Sequence, residues 1–429
     1  MSTDQTYLVG GAVRDELIGR RNNDRDWVVV GTTPEAMTEA GYRAVGRGFP
    51  VFLHPKTGEE YALARAERKT APGYHGFAVD FDPSVTLEAD LSRRDLTINA
   101  MARAADGTLI DPFGGHDDLE AGILRHVSLA FTEDPVRLLR VARYAAALAP
   151  YGFRIAAETQ QLMASMTSDG EIDALVPERV WAETRRALAT DEPSVFFYTL
   201  RQVGALARLF PELDALFGVP QPVRYHPEID AGVHTLLVLD QTAQADNPVD
   251  CRFAALCHDF GKARTPHAQR PGHAGHEMAG EPLAKALAER LRVPKQTRDL
   301  AGLAARWHTH LHRFTKLQAN TALDMLEAAD ALRRPERLES MIAICRADVR
   351  GRLGMEQRTY PQAEIARHAL AAAQSVDTSA IAATPGLEGP AIGDAVRQKR
   401  MDAIAEVLRH PEHLHSHAGG PATTSMDAP

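Results

Sequence analysis

Apolar residues come in short bursts near the start of the chain and in helical spacing further on. Tyr7 to Val9, Trp27 to Val30, Val51 to Leu53 and Tyr61 to Leu63 are strand-length runs broken by glycine and proline. From about Leu119 the chain turns rich in Ala, Leu and Arg, and Val136, Leu139, Val141 and Leu148 fall around a common side of a helix. The pattern predicts a mixed α/β head reaching about Asp111, followed by a helical body. Phe217-Gly218-Val219-Pro220-Gln221-Pro222 interrupts the helical spacing and reads as a linker into a third unit. Ser416 to Pro429 is small and polar, with two prolines, and reads as a disordered tail.

The first apolar run leads into Gly10 and Gly11, which permit a tight turn, and then into a helix over Ala12 to Ile18 whose free N–H groups suit phosphate. Arg14 adds a side-chain contact of the same kind. Asp24 and Asp26 stand two apart at the head of the next strand, so their carboxylates project from one face and can share Mg²⁺. A third carboxylate from Glu59 or Glu60 is compatible with this arrangement. A dinucleotide site would need Gly-x-Gly-x-x-Gly, whereas Ala12, Val13 and Arg14 follow the glycine pair.

Farther along, Glu133-Asp134-Pro135 suits a helix start. Capping leaves Arg137, Arg140 and Arg143 unexplained; spaced by three, they share a drifting helix face able to meet a triphosphate or an RNA backbone.

A second chemistry is written in histidines. His258-Asp259 offers a nitrogen and an oxygen to a divalent metal, with His234 upstream and His273, His276, His308, His310 and Asp348 downstream. Another His-Asp pair, His116-Asp117, lies in a Gly-rich loop and is given no role.

Composition changes this picture little. A net charge of −9 argues against bulk nucleic-acid binding, although local stretches such as Arg93-Arg94 and Arg185-Arg186 can still hold phosphate. Three cysteines without Cys-x-x-Cys spacing argue against a disulfide framework or zinc knuckle. With no apolar run of membrane-spanning length and no charged-then-apolar leader, the expected setting is cytoplasmic, with no membrane partner.

Gly10-Gly11-Ala12-Val13-Arg14-Asp15 with Asp24-Arg25-Asp26 resembles the class II CCA-adding enzymes, tRNA nucleotidyltransferases of the polymerase-β superfamily. Further motifs follow in family order. Arg93-Arg94-Asp95-Leu96-Thr97-Ile98-Asn99-Ala100 resembles the ribose-reading motif, Leu119 to Arg125 the hinge, Glu133 to Arg143 the base template, and Pro177-Glu178-Arg179 the helix-stabilising Glu-Arg. The order His234, His258-Asp259, Asp348 is similar to the HD phosphohydrolase superfamily, which a bacterial subgroup of these enzymes carries fused.

The resemblance implies an α/β nucleotidyltransferase head at 1–118, a helical neck and body at 119–217, an HD domain at 228–352, a helical tail at 353–415 and a disordered end at 416–429. It implies template-independent addition of C, C and A to tRNA from CTP and ATP, with Asp24 and Asp26 holding catalytic Mg²⁺. Gly11, Arg14, Arg94, Arg140 and Arg143 would position the nucleotide, Asp95 would meet its ribose, and Asp134 with Arg137 would read its base. At the HD site His234, His258, Asp259 and Asp348 would hold a divalent metal, Ni²⁺ or Mg²⁺, for hydrolysis of 2′,3′-cyclic and 2′-phosphates, with His276 and His308 completing a second metal position. A fused hydrolase could clean a damaged tRNA end for the head to rebuild. Monomer and homodimer are both compatible with the sequence. The competing expectations are a poly(A) polymerase and an RNA-end phosphohydrolase with a silent head.

Overall fold

Thr6–Val9 (β1) and Asp26–Val29 (β2) pair antiparallel with Val9 opposite Asp26, so the end of one strand and the head of the other share a sheet edge. The structure is a computed structural model that describes residues 5–20, 25–45, 51–69, 77–80 and 82–409, and the chain divides into units 1–211 and 212–429. The anticipated disordered end at 416–429 lies outside the described residues.

In the first unit, Arg43–Val45 (β3), Val51–Leu53 (β4) and Glu60–Leu63 (β5) extend the sheet on one side, and a separate hairpin follows from Ala66–Lys69 (β6) and Phe77–Asp80 (β7). Ala102–Arg103 (β8) and Leu109–Ile110 (β9) extend the other side, for the order β3-β4-β5-β2-β1-β8-β9 among the described residues. Within this sheet, among the described residues, the β2–β5 pairing is parallel and the others antiparallel, which makes the sheet mixed. Period-two alternation fills both faces. Val28 joins Val9, Leu91, Ala100 and Ala102 on one side, while Val29 joins Met37, Phe52, Tyr61 and Leu63 on the other.

The helix Val136–Leu148 packs against Pro177–Leu188 and Ser194–Gln202 within the same unit. Its apolar positions are buried, and Pro177 takes the first turn of its own helix, where no N–H is missed. Phe196, Phe197 and Phe210 meet edge to face nearby, with ring centroids 5.1 and 5.5 Å apart. Head sheet and helical body therefore lie within one unit.

The second unit is helical. Ala231–Gln244, Val249–Cys257, His276–Arg290, Lys295–His312 and Glu336–Arg350 pack side by side, followed by Gln362–Gln374 and Pro390–Arg409. Asp230 caps the first of these by accepting from Val233 N at 2.9 Å. The stretch Phe217 to Pro222, read from sequence as a linker, is bound into this unit: Asp230 also accepts from Gly218 N at 2.6 Å, and Gln221 accepts from Lys262 at 2.5 Å. No helix among the described residues is long and apolar enough to cross a membrane.

Candidate active sites

After β1, Gly10 takes φ +72° and the helix Gly11–Leu17 begins. A Cβ on Gly10 would lie 2.8 Å from Nη1 of Arg94, so backbone conformation and space both call for glycine there. Gly11 is less constrained, since its Cβ would meet Arg14 only at 3.4 Å. Asp26 is exposed at the head of β2, beside Glu60 in the parallel register with β5. Partners in register share a sheet face, so the Asp26 and Glu60 carboxylates project together, while Trp27 and Tyr61 stack at 5.6 Å on the opposite face. Glu59 is engaged elsewhere, accepting from Thr57 Oγ1 at 3.2 Å. Asp24 lies outside the described residues.

Gly11, Arg14, Asp26, Arg94 and Asp95 line a cleft of about 830 Å³, and Asp134, Arg137, Arg140 and Arg143 line the same space. Its guanidiniums are held by internal partners. Arg14 donates to Asn99 Oδ1 at 2.6 Å and to Asp15 at 2.8 Å. Fully buried Asp90 accepts from Arg93 at 2.7 Å and Arg94 at 3.3 Å. Arg140 donates to Asp95 at 2.6 Å, Arg143 to Glu183 at 2.6 Å, and Arg137 to the Ala130 carbonyl at 2.6 Å. Asp134 accepts from Val136 N at 3.1 Å and from both terminal nitrogens of Arg179.

Asp95 shows what this packing does to charge. Burial would raise its carboxyl, but the Arg140 guanidinium and hydrogen bonds from Asn99 and Leu96 hold it well below the usual carboxylate range. Arg140 is raised in turn by Asp95. The Tyr144 ring sits among three guanidiniums, with Arg143 at 4.2 Å, Arg14 at 5.1 Å and Arg140 at 5.6 Å from its centroid. Fixed guanidiniums facing open space beside an acidic strand head suit a polyphosphate chain and its counter-cation.

The second unit gathers its histidines around Asp259. A Cβ on Gly261 would fall 1.9 Å from the His276 carbonyl, so glycine lets the His258–Gly261 turn lie directly on the start of the His276–Arg290 helix. Asp259 Oδ2 lies 3.1 Å from His258 Nε2 and 4.0 Å from His234 Nε2, and His234 Nε2 is 3.2 Å from Asp348 Oδ1. Its other oxygen, Oδ1, lies 3.3 Å from His276 Nε2 and 3.4 Å from His308 Nε2. The Nδ1 atoms of His258, His276 and His308 face the carbonyls of Ala255, His273 and Ala304 at 2.6, 2.8 and 3.0 Å. Those Nδ1–H bonds leave each Nε2 lone pair turned inward.

Two donor groups result, His234, His258 and Asp348 on one side and Asp259, His276 and His308 on the other. Among the described residues, His258 Nε2 and Asp259 Oδ1 are buried without a hydrogen-bond partner, as metal-ligand atoms would be. Burial would raise the Asp259 carboxyl, but His258 and Lys262 hold it well below the usual range; burial pushes His308 down to about 4, leaving it neutral. The mixed nitrogen and oxygen set fits a divalent transition ion. These groups border a cavity of about 1130 Å³ that Arg306, Arg313, Arg352 and Arg358 also line.

The structure thus brings Gly11, Arg14, Asp26, Arg94, Asp95, Asp134, Arg137, Arg140 and Arg143 to one cleft, leaves Glu59 outside it, and gathers His234, His258, Asp259 and Asp348 with His276 and His308. His273 is spent on the Pro220 carbonyl at 2.8 Å, and His310 lies against Trp307 with ring centroids 4.8 Å apart. Sequence reasoning missed Tyr144, Glu183, Asn99, Glu228 and His312. Arg179, named from the sequence only within a helix-stabilising Glu-Arg, grips Asp134 at the start of the Val136–Leu148 helix. Spacing on one helix could have flagged Tyr144, which follows Arg140 by four residues, but nothing local points to Glu228 or His312.

Comparison with known proteins agrees with this division. The family model for the poly A polymerase head domain matches residues 6–125, that for the probable RNA and SrmB-binding site of polymerase A matches 152–217, and that for the HD domain matches 232–351. The multifunctional CCA protein of Thioalkalivibrio sulfidiphilus is 57% identical, covering 94% of this chain and 98% of that protein. That of Laribacter hongkongensis is 60% identical over 88% of this chain and 93% of that protein. Among solved structures, a CCA-adding enzyme in its second apo form matches with a TM-score of 0.63 at 20% identity, covering 96% of this chain and 91% of that one. The Thermotoga maritima CCA-adding enzyme complexed with tRNA matches at 0.61 and 19% identity, over 95% and 90%. At such identities the solved structures speak for the fold.

Proposed function

The chain belongs to the multifunctional CCA protein family, and from that premise we propose that its first unit adds C, C and A to the 3′ end of tRNA from CTP and ATP, releasing pyrophosphate. The observation that carries this reading is the single cleft shared by Asp26, the glycine turn and the arginines of three sequence segments. Arg14, Arg94, Arg140 and Arg143 bind the triphosphate as fixed donors. Asp95 has three of about four acceptor sites occupied, by Arg140, Asn99 and Leu96 N, and offers the remaining one to a ribose hydroxyl. Asp134 accepts from the exocyclic amino group that C and A share, and Arg137 donates to ring nitrogens or a carbonyl. A base with the wrong edge leaves these groups unpaired, which is how selection by hydrogen bonding becomes strong. Asp24 and Asp26, with Glu60 alongside, are hard oxygen donors that suit Mg²⁺. When bound, Mg²⁺ supplies the positive charge that acidifies the terminal hydroxyl and stabilises the leaving pyrophosphate.

The second unit is a metal-dependent phosphohydrolase for 2′,3′-cyclic and 2′-phosphates. His234, His258 and Asp348 would hold one ion, and Asp259, His276 and His308 would hold a second. Imidazole-rich ligands favour a transition ion such as Ni²⁺ over Mg²⁺. When bound, such an ion would supply Lewis acidity for activating water and polarising the phosphate. Arg313, Arg352 and Arg358 line the adjoining cavity and are placed to receive the phosphate's charge.

The test is incubation with tRNA lacking its CCA end, Mg²⁺, CTP and ATP, with the product's 3′ end sequenced. Products ending at CCA support the reading; a long A-tail makes the protein a poly(A) polymerase, and no extension by folded protein leaves only the hydrolase.

A further inference from the structure

The turn His226-Pro227-Glu228-Ile229-Asp230 leads into the helix that carries His234, and its conformation is unusual. Ile229 has φ +62°, a left-handed conformation that β-branched residues rarely take. Ile229 is 46% exposed, so burial of this residue does not account for the strain. What the turn achieves is the placement of Glu228. The Glu228 side chain is fully buried, with Oε1 2.9 Å from His234 Nδ1 and 3.0 Å from His226 Nδ1. Its Oε2 accepts from Leu353 N at 3.4 Å. The His234 approach is short but poorly aligned, and among the described residues no better-placed acceptor meets that buried nitrogen.

A neutral imidazole carries one N–H. A carboxylate against Nδ1 selects the tautomer protonated there and leaves the Nε2 lone pair facing outward. His234 Nε2 is hydrogen-bonded to Asp348 Oδ1 at 3.2 Å and lies 4.0 Å from Asp259 Oδ2; a cation among these atoms would replace that contact and leave Nδ1, against Glu228, as the protonated nitrogen. His258, His276 and His308 rest their Nδ1 atoms on backbone carbonyls, whereas His234 rests on a carboxylate. A charged acceptor makes the stronger hydrogen bond and raises the basicity of the opposite nitrogen.

We propose that Glu228 is the positioning residue of the first metal position, fixing the tautomer and donor strength of His234 through a carboxylate buried for that purpose. The inference rests on the metal reading of this site. Glu228 touches neither metal nor substrate and acts through His234.

Co²⁺ titrated into the metal-free full chain tests it, with affinity from calorimetry and the ligand field from the visible absorption band. Glu228→Gln keeps the shape and removes the charge; Glu228→Ala removes both. If the carboxylate sets His234, both variants bind the first Co²⁺ on the order of 10–100-fold more weakly, with a shifted band. Unfolding of the metal-free variants at the wild-type temperature separates this from lost folding. Were Glu228 only packing, Glu228→Gln would bind Co²⁺ within about twofold of wild type, which overturns the proposal while the metal site stands. A wild-type chain that binds no Co²⁺ overturns the metal reading, and the proposal with it.

Discussion

Arg179 grips Asp134 with two parallel hydrogen bonds of 3.0 and 2.7 Å across 45 residues of sequence. A carboxylate held at both oxygens cannot swing, so the edge proposed to read the nucleotide base is fixed in direction. Lysine preserves charge but not the two-pronged geometry. Arg179→Lys is therefore expected to erode selection of CTP and ATP over UTP and GTP by roughly 10-fold, the scale of about 1.4 kcal/mol. Single-nucleotide incorporation with each of the four triphosphates checks it; unchanged ratios would show that Arg179 has no part in selection.

The two glycines differ in what they tolerate. Alanine at Gly10 is strained by the positive φ and pushes on Arg94, whereas alanine at Gly11 meets only ordinary contact with Arg14. Gly10→Ala should lower stability by about 1 kcal/mol and raise the KM for CTP several-fold, with Gly11→Ala much milder. Urea unfolding and steady-state kinetics on both variants give the comparison, and equal effects would contradict it.

These cases show what could be read in advance. Gly10-Gly11 before a helix and Asp26 at a strand head are local signals, because period and turn chemistry place such residues without knowledge of the rest of the fold. Arg137, Arg140 and Arg143 were legible for the same reason, since one helix fixes their common side. What stayed hidden is whatever depends on chain segments meeting. Glu183 looks like any acid on a surface helix until Arg143 is found against it, and the sequence cannot show that Arg179 reaches back to Asp134. Glu228 is the extreme case, because its role rests on a backbone conformation that isoleucine gives no cause to expect.

Asp26→Ala, like Asp24→Ala, should reduce CTP and ATP incorporation by more than about 10²-fold while sparing hydrolysis of 2′,3′-cyclic AMP. Two assays on one preparation decide it. Incorporation that survives either change would remove that carboxylate from the mechanism.

The Asp95–Arg140 pair carries a pH signature. The folded carboxyl is held below its unfolded value, so the stability it contributes is full above about pH 4 and is lost as pH falls from there through the folded value. Asp95→Asn should therefore be less stable than wild type at pH 7, by on the order of 1–3 kcal/mol because Arg140 is partly exposed. The gap should stay constant down to about pH 5 and narrow below pH 4. Denaturant midpoints of both proteins across that range test the sign; a gap that widens in acid would refute it.

Metal content offers the sharpest check on the second unit. Elemental analysis after loading with Ni²⁺ should find two ions in the wild type, one in His276→Ala or His308→Ala, and none held tightly in Asp259→Asn, whose oxygens face both donor groups. Undiminished metal in Asp259→Asn would show that the residue bridges nothing.

The carboxylates that accompany the cleft's arginines have a consequence for the working cycle. Arg14, Arg94, Arg140 and Arg143 each lean on a resident acid, so departure of pyrophosphate does not leave a bare cluster of like charges that must spring apart. The cavity can come to rest in the shape in which it began. An enzyme that must repeat one step three times in succession, changing only the base it accepts, gains from a chamber that needs no rebuilding between rounds.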